Sequence, residues 1–320
     1  MRILLVKTSS LGDVIHNLPV ATDIRQHFPD AIIDWCVEDV FAAIPRFHPA
    51  VNRVIPVAIR RWRKALFRGE TWRSVGEYQR EIRRCQYDLV LDTQGLIKSA
   101  LVATRALGPR AGYDATSARE PVVAAFYQQR YAVDRNKHAV LRNRELAAAA
   151  LGYQIDPAVS ATDYGIAAPA IALEWLPAQP YLVLLTATSR DDKLWPEGHW
   201  IALGAALVEQ GFAVVLPAGS APERERAARL AAAIPGAIAA PPMSIEALAA
   251  LLAGARAVVG VDTGLTHLAV ALQVPTVALY TATEPGLTGV YGRGFHCNLG
   301  GRQQCPAVVN VLTELRSVLL

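Results

Sequence analysis

Apolar residues fall along the chain in two alternating patterns, short continuous runs and longer segments in which they recur every three or four positions, with polar or glycine-bearing loops in between. Residues 2–6 (RILLV) read as a buried strand and residues 13–28 as a helix closed by Pro29. Residues 31–37 supply a second strand, and DVFAAIPRFHP at 39–49 a helix and loop. Residues 87–92 (YDLVLD) form another short strand, followed by a turn at Gly95 and a helix over about 96–106.

From 156 to 179 the periodicity fades into a proline-bearing stretch, which predicts an interdomain linker and two domains, 1–165 and 166–320. The alternation then restarts. Residues 181–188, 212–219, 257–262 and 276–280 read as strands, and residues 199–211, 221–234, 244–255 and 265–273 as helices. Strand, loop and helix recur at the spacing of βαβ units. The expected class is α/β, with two Rossmann-like, doubly wound halves whose parallel sheets face each other across a shared interdomain cleft.

Composition sharpens this picture. Of 320 residues, 52% are apolar and only 7% aromatic, so the interior is built from Ala, Val, Leu and Ile, as suits helices on parallel sheets. The run after Arg2 ends at Lys7, too short for a signal-peptide core, and the apolar stretch 247–261 is interrupted by Gly254 and Arg256. A cytoplasmic protein without a transmembrane helix is expected. Cys36, Cys85, Cys297 and Cys305 form no C-x-x-C pair and read as reduced thiols, with a metal held by His296, Cys297 and Cys305 the less favoured alternative. The net charge of +4 is mild, but RRWRKALFR places Arg60, Arg61, Arg63, Lys64 and Arg68 together without an acid. Such a cluster is either a solvated face or an attractor for a phosphorylated or membrane-surface anionic partner.

Candidate chemistry sits where predicted strands end. After AVVGVD, Asp262 and Thr263 are placed to cap the next helix, Gly264 to turn the backbone, and the first-turn N–H groups to bind an anion such as a diphosphate. The plain reading is a capped helix. His267, one turn on, is placed to face the cleft, and in GSAPERER either Glu223 or Glu225 can accept hydrogen bonds from a ribose. Thr186, Thr188 and Ser189 end the strand before SRDDKLWPEGHW, where Lys193 is either a surface lysine or a charge that compensates a departing phosphate. No G-x-G-x-x-G follows a leading strand, and no P-loop, D-x-D, H-E-x-x-H or G-x-S-x-G occurs. Asp13 opens a helix directly after a strand, as either a cap or a general base. Ser9 and Ser10 are taken as the caps and Gly12 as the turn residue, which leaves Asp13 free to accept a proton.

Together these segments resemble the lipopolysaccharide heptosyltransferases of glycosyltransferase family 9. The resemblance runs through MRILLVKTSSLGDVIHNLP, RVIPVAIRRWRKA, LVLDTQGLIKSALV, SARE at 117–120, TSRDDKLWPEGHW and VGVDTGLTHLAVAL. KTSSLGD and RRWRK carry its specificity, whereas DTGLTH alone marks the wider family. It implies a GT-B architecture with an acceptor-binding first half and a nucleotide-sugar-binding second half. It further implies inverting transfer of L-glycero-D-manno-heptose from ADP-heptose to the inner Kdo of Kdo2-lipid A, without metal or cofactor. Transfer of heptose onto heptose is the alternative within the family, and a non-catalytic nucleotide- or lipopolysaccharide-binding protein the alternative outside it.

By position, Asp13 matches the catalytic base and Lys193 the leaving-group lysine of the family. Thr188, Asp262, Thr263, Gly264 and His267 match the ADP-heptose contacts, with Ser189 and Glu223 or Glu225 beside them. Lys7, Ser10, Arg60, Arg61, Arg63, Lys64, Lys98 and Arg119 are then expected around the Kdo carboxylates and lipid A phosphates. Trp62 and Phe67 are expected at the membrane interface, in peripheral attachment to the cytoplasmic face of the inner membrane, with no role for nucleic acid. The last helix is allowed to cross back onto the first domain, as it often does in GT-B chains.

Overall fold

Continuous apolar runs become strands buried on both faces, and they set the frame on which everything else is hung. The computed structural model describes residues 1–155 and 162–319. The described chain forms two compact units: one runs through residue 155 and includes Tyr164–Ile166, while the other takes residues 162 and 163 and continues from Ala167. The expected linker falls partly on residues 156–161, outside the described residues, and its remainder, 162–179, holds no helix or strand.

The first unit contains strands β1 (Arg2–Val6), β2 (Ile32–Glu38), β3 (Val51–Val57), β4 (Leu89–Asp92), β5 (Arg110–Tyr113) and β6 (Gln129–Tyr131). Its helices are α1 (Leu11–Ile15), α2 (Leu18–His27), α3 (Ala43–Arg46), α4 (Ile59–Lys64), α5 (Gly69–Ile82), α6 (Ile97–Ala103) and α7 (Ala139–Leu151). The second unit contains β7 (Tyr181–Leu185), β8 (Ala213–Leu216), β9 (Ile238–Ala239), β10 (Ala257–Val261), β11 (Thr276–Tyr280) and β12 (His296–Gly300). Its helices are α8 (Glu197–Glu209), α9 (Ala221–Ala233), α10 (Ile245–Ala253), α11 (Gly264–Ala271), α12 (Pro285–Thr288) and α13 (Val308–Leu319).

Each unit is built on one six-stranded parallel sheet, ordered β3-β2-β1-β4-β5-β6 in the first and β12-β11-β10-β7-β8-β9 in the second. Counted from its own first strand, each has the doubly wound Rossmann order, so α/β architecture is established for both halves. In such sheets ligands gather outside the carboxyl ends of the strands where the winding reverses. Those points are the loops after β1 and β4 in one unit, and after β7 and β10 in the other.

Local chemistry explains where elements depart from expectation. The helix expected over 13–28 is two helices, because Pro19 has no N–H to continue the ladder and sits in the first turn of α2. The helix expected within 39–49 is a single 3₁₀ turn, Asp39–Phe41, and the one-turn α3. β3 escapes the apolar reading because it carries Arg53 and Pro56, and a proline is tolerated there since β3 lies at the sheet edge. Gly95 is the turn expected, with φ +67° and a site where a Cβ would lie 3.2 Å from the Tyr113 ring. The last helix does not cross back: Val311 and Leu315 of α13 are buried in the second unit's core with Trp195, Trp200, Val259 and Leu279.

Candidate active site

In the first unit the site begins where β1 runs out. Lys7 is buried, 7% exposed, and its Nζ donates to the Thr93 carbonyl (2.8 Å) and to Asn143 Oδ1 (3.2 Å). Burial pushes its ammonium down to about 8, against the pull of Asp13 and Asp92. Asn143 belongs to α7, which is tied to α2 by Arg144 Nε and Nη2 donating to Asp23 Oδ2 (2.7 Å) and Oδ1 (3.0 Å). Lys7, expected at the acceptor, is thus an internal strut beneath the loop rather than part of an exposed basic face.

The loop itself is latched by Gln94. Its Oε1 accepts from the Thr8 N–H (2.8 Å) and Oγ1 (2.7 Å), and its Nε2 donates to the Ser9 carbonyl (2.7 Å). Asp92 at the end of β4 in turn accepts from the N–H groups of Gln94 and Gly95 and from the Tyr127 hydroxyl. Ser10 is the N-cap of α1 and Asp13 its third residue, in a reciprocal capping box. Asp13 Oδ2 accepts from the Ser10 N–H (2.8 Å) and Oγ (2.9 Å). Asp13 therefore shares the capping that was expected of the serines alone, while its Oδ1 accepts no hydrogen bond among the described residues. Ser9 does not cap, since its hydroxyl accepts from Lys98 Nζ. Gly12 lies inside α1, not at a left-handed turn.

Burial holds the Lys98 ammonium below the usual lysine range, assisted by the positive charge of Arg60; Glu38 and Asp13 oppose that shift, and Arg119 adds to it. Lys98, Asp13, Arg60 and Arg119 are therefore brought into one electrostatic neighbourhood. Glu38, buried at the end of β2 and pushed upward by that burial, receives the Arg60 N–H at 2.8 Å and so positions the start of α4. Arg60, Arg61 and Lys64 line a cavity of about 580 Å³ with Arg68 and Asp39, whose carboxylate is 3.3 Å from Arg61. Arg63 is exposed on the other side of the same helix. Trp62 does not project outward as expected: its Nε1 donates to Ser74 Oγ (3.2 Å) and its ring lies 5.6 Å from that of Tyr78. Phe67 is fully exposed.

In the second unit one carboxylate organises the site. Asp262, directly after β10, accepts from Lys193 Nζ (2.7 Å) and Thr283 Oγ1 (2.7 Å) on Oδ2, and His267 Nε2 lies 3.9 Å from Oδ1. Thr188 Oγ1 donates to its carbonyl at 2.9 Å. Burial works to raise the Asp262 carboxyl, but the contacts of His267, Lys193 and Thr283 outweigh it and hold it below the usual carboxylate range. His267 is buried against this carboxylate. Neither Asp262 nor Thr263 caps α11 with its side chain. Gly264 is its first residue at ordinary helical φ, and the N–H groups of Gly264 and Leu265 meet no acceptor among the described residues. Ser189 is exposed. Glu223 is engaged by its own helix start, accepting from the N–H groups of Gly219 (2.9 Å) and Ser220 (3.1 Å), whereas Glu225 is exposed.

Sequence reading missed Gln94, Glu38, Asn143 and Thr283. Gln94 and Thr283 are polar residues just beyond a strand's carboxyl end, the signal that exposed the others. Among the described residues no group of three His, Cys, Asp or Glu side chains is placed to hold a metal, His296 and Cys297 included.

The comparisons with known proteins agree with this frame. Residues 75–315 match the model of glycosyltransferase family 9 (heptosyltransferase). The chain is 50% identical over 310 residues to lipopolysaccharide heptosyltransferase 1 of Pseudomonas aeruginosa, covering 95% of this chain and 85% of that protein. The solved structure of E. coli heptosyltransferase WaaC with ADP matches at TM-score 0.90 and 43% identity over 99% of both chains. The same enzyme with ADP-2-deoxy-2-fluoro heptose matches at TM-score 0.86 and 42% identity, again over 99% of both. On the match of its own residues to the family model and on its identity to these relatives, the chain belongs to glycosyltransferase family 9, the heptosyltransferases, and is a glycosyltransferase of GT-B type.

Proposed function

We propose that the protein is a heptosyltransferase I, transferring L-glycero-D-manno-heptose from ADP-heptose to the inner Kdo of Kdo2-lipid A with inversion and without a metal. The observation that carries the mechanism is the division of Asp13: Oδ2 is held by Ser10, which aims an Oδ1 that has no donor among the described residues. In a single displacement the acceptor hydroxyl oxygen attacks the anomeric carbon and its proton passes to the Asp13 carboxylate. The bond from that carbon to the β-phosphate oxygen breaks, and ADP leaves with its electron pair. Lys193 is the cation for that developing charge, released in part from Asp262, and the N–H groups at the start of α11, which meet no acceptor among the described residues, suit the diphosphate. Positive charge supplied this way fills the role a metal would otherwise take.

The names of the relatives support the donor and acceptor classes: solved relatives hold ADP and an ADP-heptose analogue, and curated ones are lipopolysaccharide heptosyltransferases. Arg60, Arg61, Arg63, Lys64, Lys98 and Arg119 are assigned to the anionic acceptor, and Glu225 is the freer of the two candidate ribose contacts. The basic α4 with exposed Phe67 supports peripheral attachment to the cytoplasmic face of the inner membrane. No helix among the described residues is long and apolar enough to cross a membrane. The two domains are assigned as acceptor-binding (1–165) and donor-binding (166–320). ADP release from ADP-heptose in the presence of Kdo2-lipid A, unchanged by EDTA, is the expected result. Activity abolished by EDTA and restored by a divalent cation would overturn the metal-free mechanism, and transfer only to an already heptosylated acceptor would overturn the choice of acceptor.

A further inference from the structure

The register between β1 and β4 ends with Val6 opposite Asp92, yet the two strands stay tied beyond that point. Gln94, two residues past the end of β4, extends the connection to the loop that leads to Asp13. Its Oε1 accepts from the N–H (2.8 Å) and the hydroxyl (2.7 Å) of Thr8, and its Nε2 donates to the Ser9 carbonyl (2.7 Å). Thr8 presents two donors there and Ser9 one acceptor. A primary amide meets both at once, whereas a carboxylate cannot donate and an ammonium or guanidinium cannot accept.

Gln94 is itself held from below. Its N–H donates to Oδ1 of the fully buried Asp92 (2.8 Å), and Asp92 Oδ2 accepts from the Tyr127 hydroxyl (2.7 Å). On the β2 side the Thr8 carbonyl accepts from the Glu38 N–H (3.0 Å), so the loop is gripped from both neighbours of β1. Ser10 follows directly, and its N–H and hydroxyl are the donors that fix Asp13 Oδ2. The Ser9 hydroxyl accepts from Lys98, one of the cations assigned to the acceptor. A displaced 8–10 backbone therefore moves the aim of Asp13 and the anchor of that cation together. Misplacement by about 1 Å can cost about 100-fold in rate. The three side-chain bonds of Gln94 fall on Thr8 and Ser9, so any influence on Asp13 passes through the loop.

We propose that Gln94 is a positioning residue for the transfer, holding residues 8–10 where Ser10 aims Asp13 at the acceptor hydroxyl. The proposal rests on the reading of Asp13 as the base. Its test is a double-mutant cycle on kcat, read as ADP release from ADP-heptose with Kdo2-lipid A, between Gln94→Met and Asp13→Asn. Methionine keeps the length of the side chain and removes all three bonds, and thermal melts verify folding. Gln94→Met alone is expected to lower kcat about tenfold, with the donor KM unchanged. In the Asp13→Asn background, where no base remains to be aimed, the same change is expected to cost less than about twofold, because residues that act as a unit are not additive. A milder perturbation carries the same cycle if Gln94→Met does not fold. Thr8→Val removes only the hydroxyl donor and is expected to cost about threefold in kcat, a loss that Thr8→Ser restores and that disappears in Asp13→Asn. Equal losses with and without Asp13 would overturn the proposal, since the latch would then serve the fold alone. So would an undiminished kcat in folded Gln94→Met, or a Thr8→Ser as slow as Thr8→Val. Two other results strike elsewhere: no transfer by wild type sinks the functional reading, and a wild-type rate in Asp13→Asn sinks the base, and in either case the positioning role falls with it.

Discussion

Replacing Asp13 by Asn separates the cap that the structure gives this side chain from the base role proposed for it. The amide oxygen of Asn can still accept from the Ser10 N–H and hydroxyl, so α1 keeps its cap, but an amide has no basicity with which to take the acceptor proton. Asp13→Ala removes both functions. Helix α1 is five residues long and the capping box is solvent-exposed, which places the lost cap toward the low end of the usual range, about 0.5–1 kcal/mol. That corresponds to a fall in Tm of roughly 1–4 °C. A domain stable by about 5 kcal/mol that loses about 1 kcal/mol remains well over ~99% folded at 25 °C, so unfolding removes almost no activity. Loss of the base is expected to cost about 100-fold in rate, equivalent to about 2.7 kcal/mol on the barrier. The assay is the initial rate of ADP release with both substrates saturating, with thermal melts on the same samples. Both variants should lose about 100-fold, and only Asp13→Ala should melt earlier. A rate near wild type in Asp13→Asn would refute the base assignment, whatever the melts show.

Three further predictions draw on other parts of the molecule. Lys193→Ala should lower kcat by about 100- to 1,000-fold, the usual scale for removing a group that stabilises developing charge, and a loss confined to donor KM would refute the leaving-group role. Lys7 is expected to titrate near pH 8 in the folded protein against 10.5 unfolded. Between those values the unfolded chain binds more protons, so the cost of burying this ammonium is relieved as pH rises through that window and stability contributed at the site increases. An NMR titration of the lysine ε positions should show one resonance with its midpoint near 8, lost in Lys7→Gln; no lysine titrating in that region would contradict its burial. Arg144→Ala leaves Asp23 as a buried carboxylate without its paired guanidinium, and should cost about 3–5 kcal/mol in urea unfolding, through a lower midpoint at constant slope. A change under about 1 kcal/mol would mean that the pair does not tie α7 to α2.

How much of this was legible depended on whether the cause was local. β1, β7, β10 and β11 announce themselves because strands buried on both faces must be continuously apolar. β3 does not, since Arg53 is accommodated by Asp34, Glu81, Cys85 and Tyr87, 19, 28, 32 and 34 residues away, and α5 does not because most of its residues are polar. The same division runs through the site. Polar residues at strand ends were readable, but the pairing of Lys193 with Asp262 spans 69 residues and the latch of Gln94 on Thr8 spans 86, and no spacing rule reports such contacts. Asp13 is the instructive case, because its partner was in plain view: Ser10 and Asp13 are three apart, the spacing of a capping box. Capping and proton transfer were set against each other as rivals for one carboxylate. A carboxylate has two oxygens, however, and here both hydrogen bonds from Ser10 fall on Oδ2. The cap therefore fixes the rotamer that presents Oδ1, so under the proposed mechanism capping aims the carboxylate instead of competing with proton transfer.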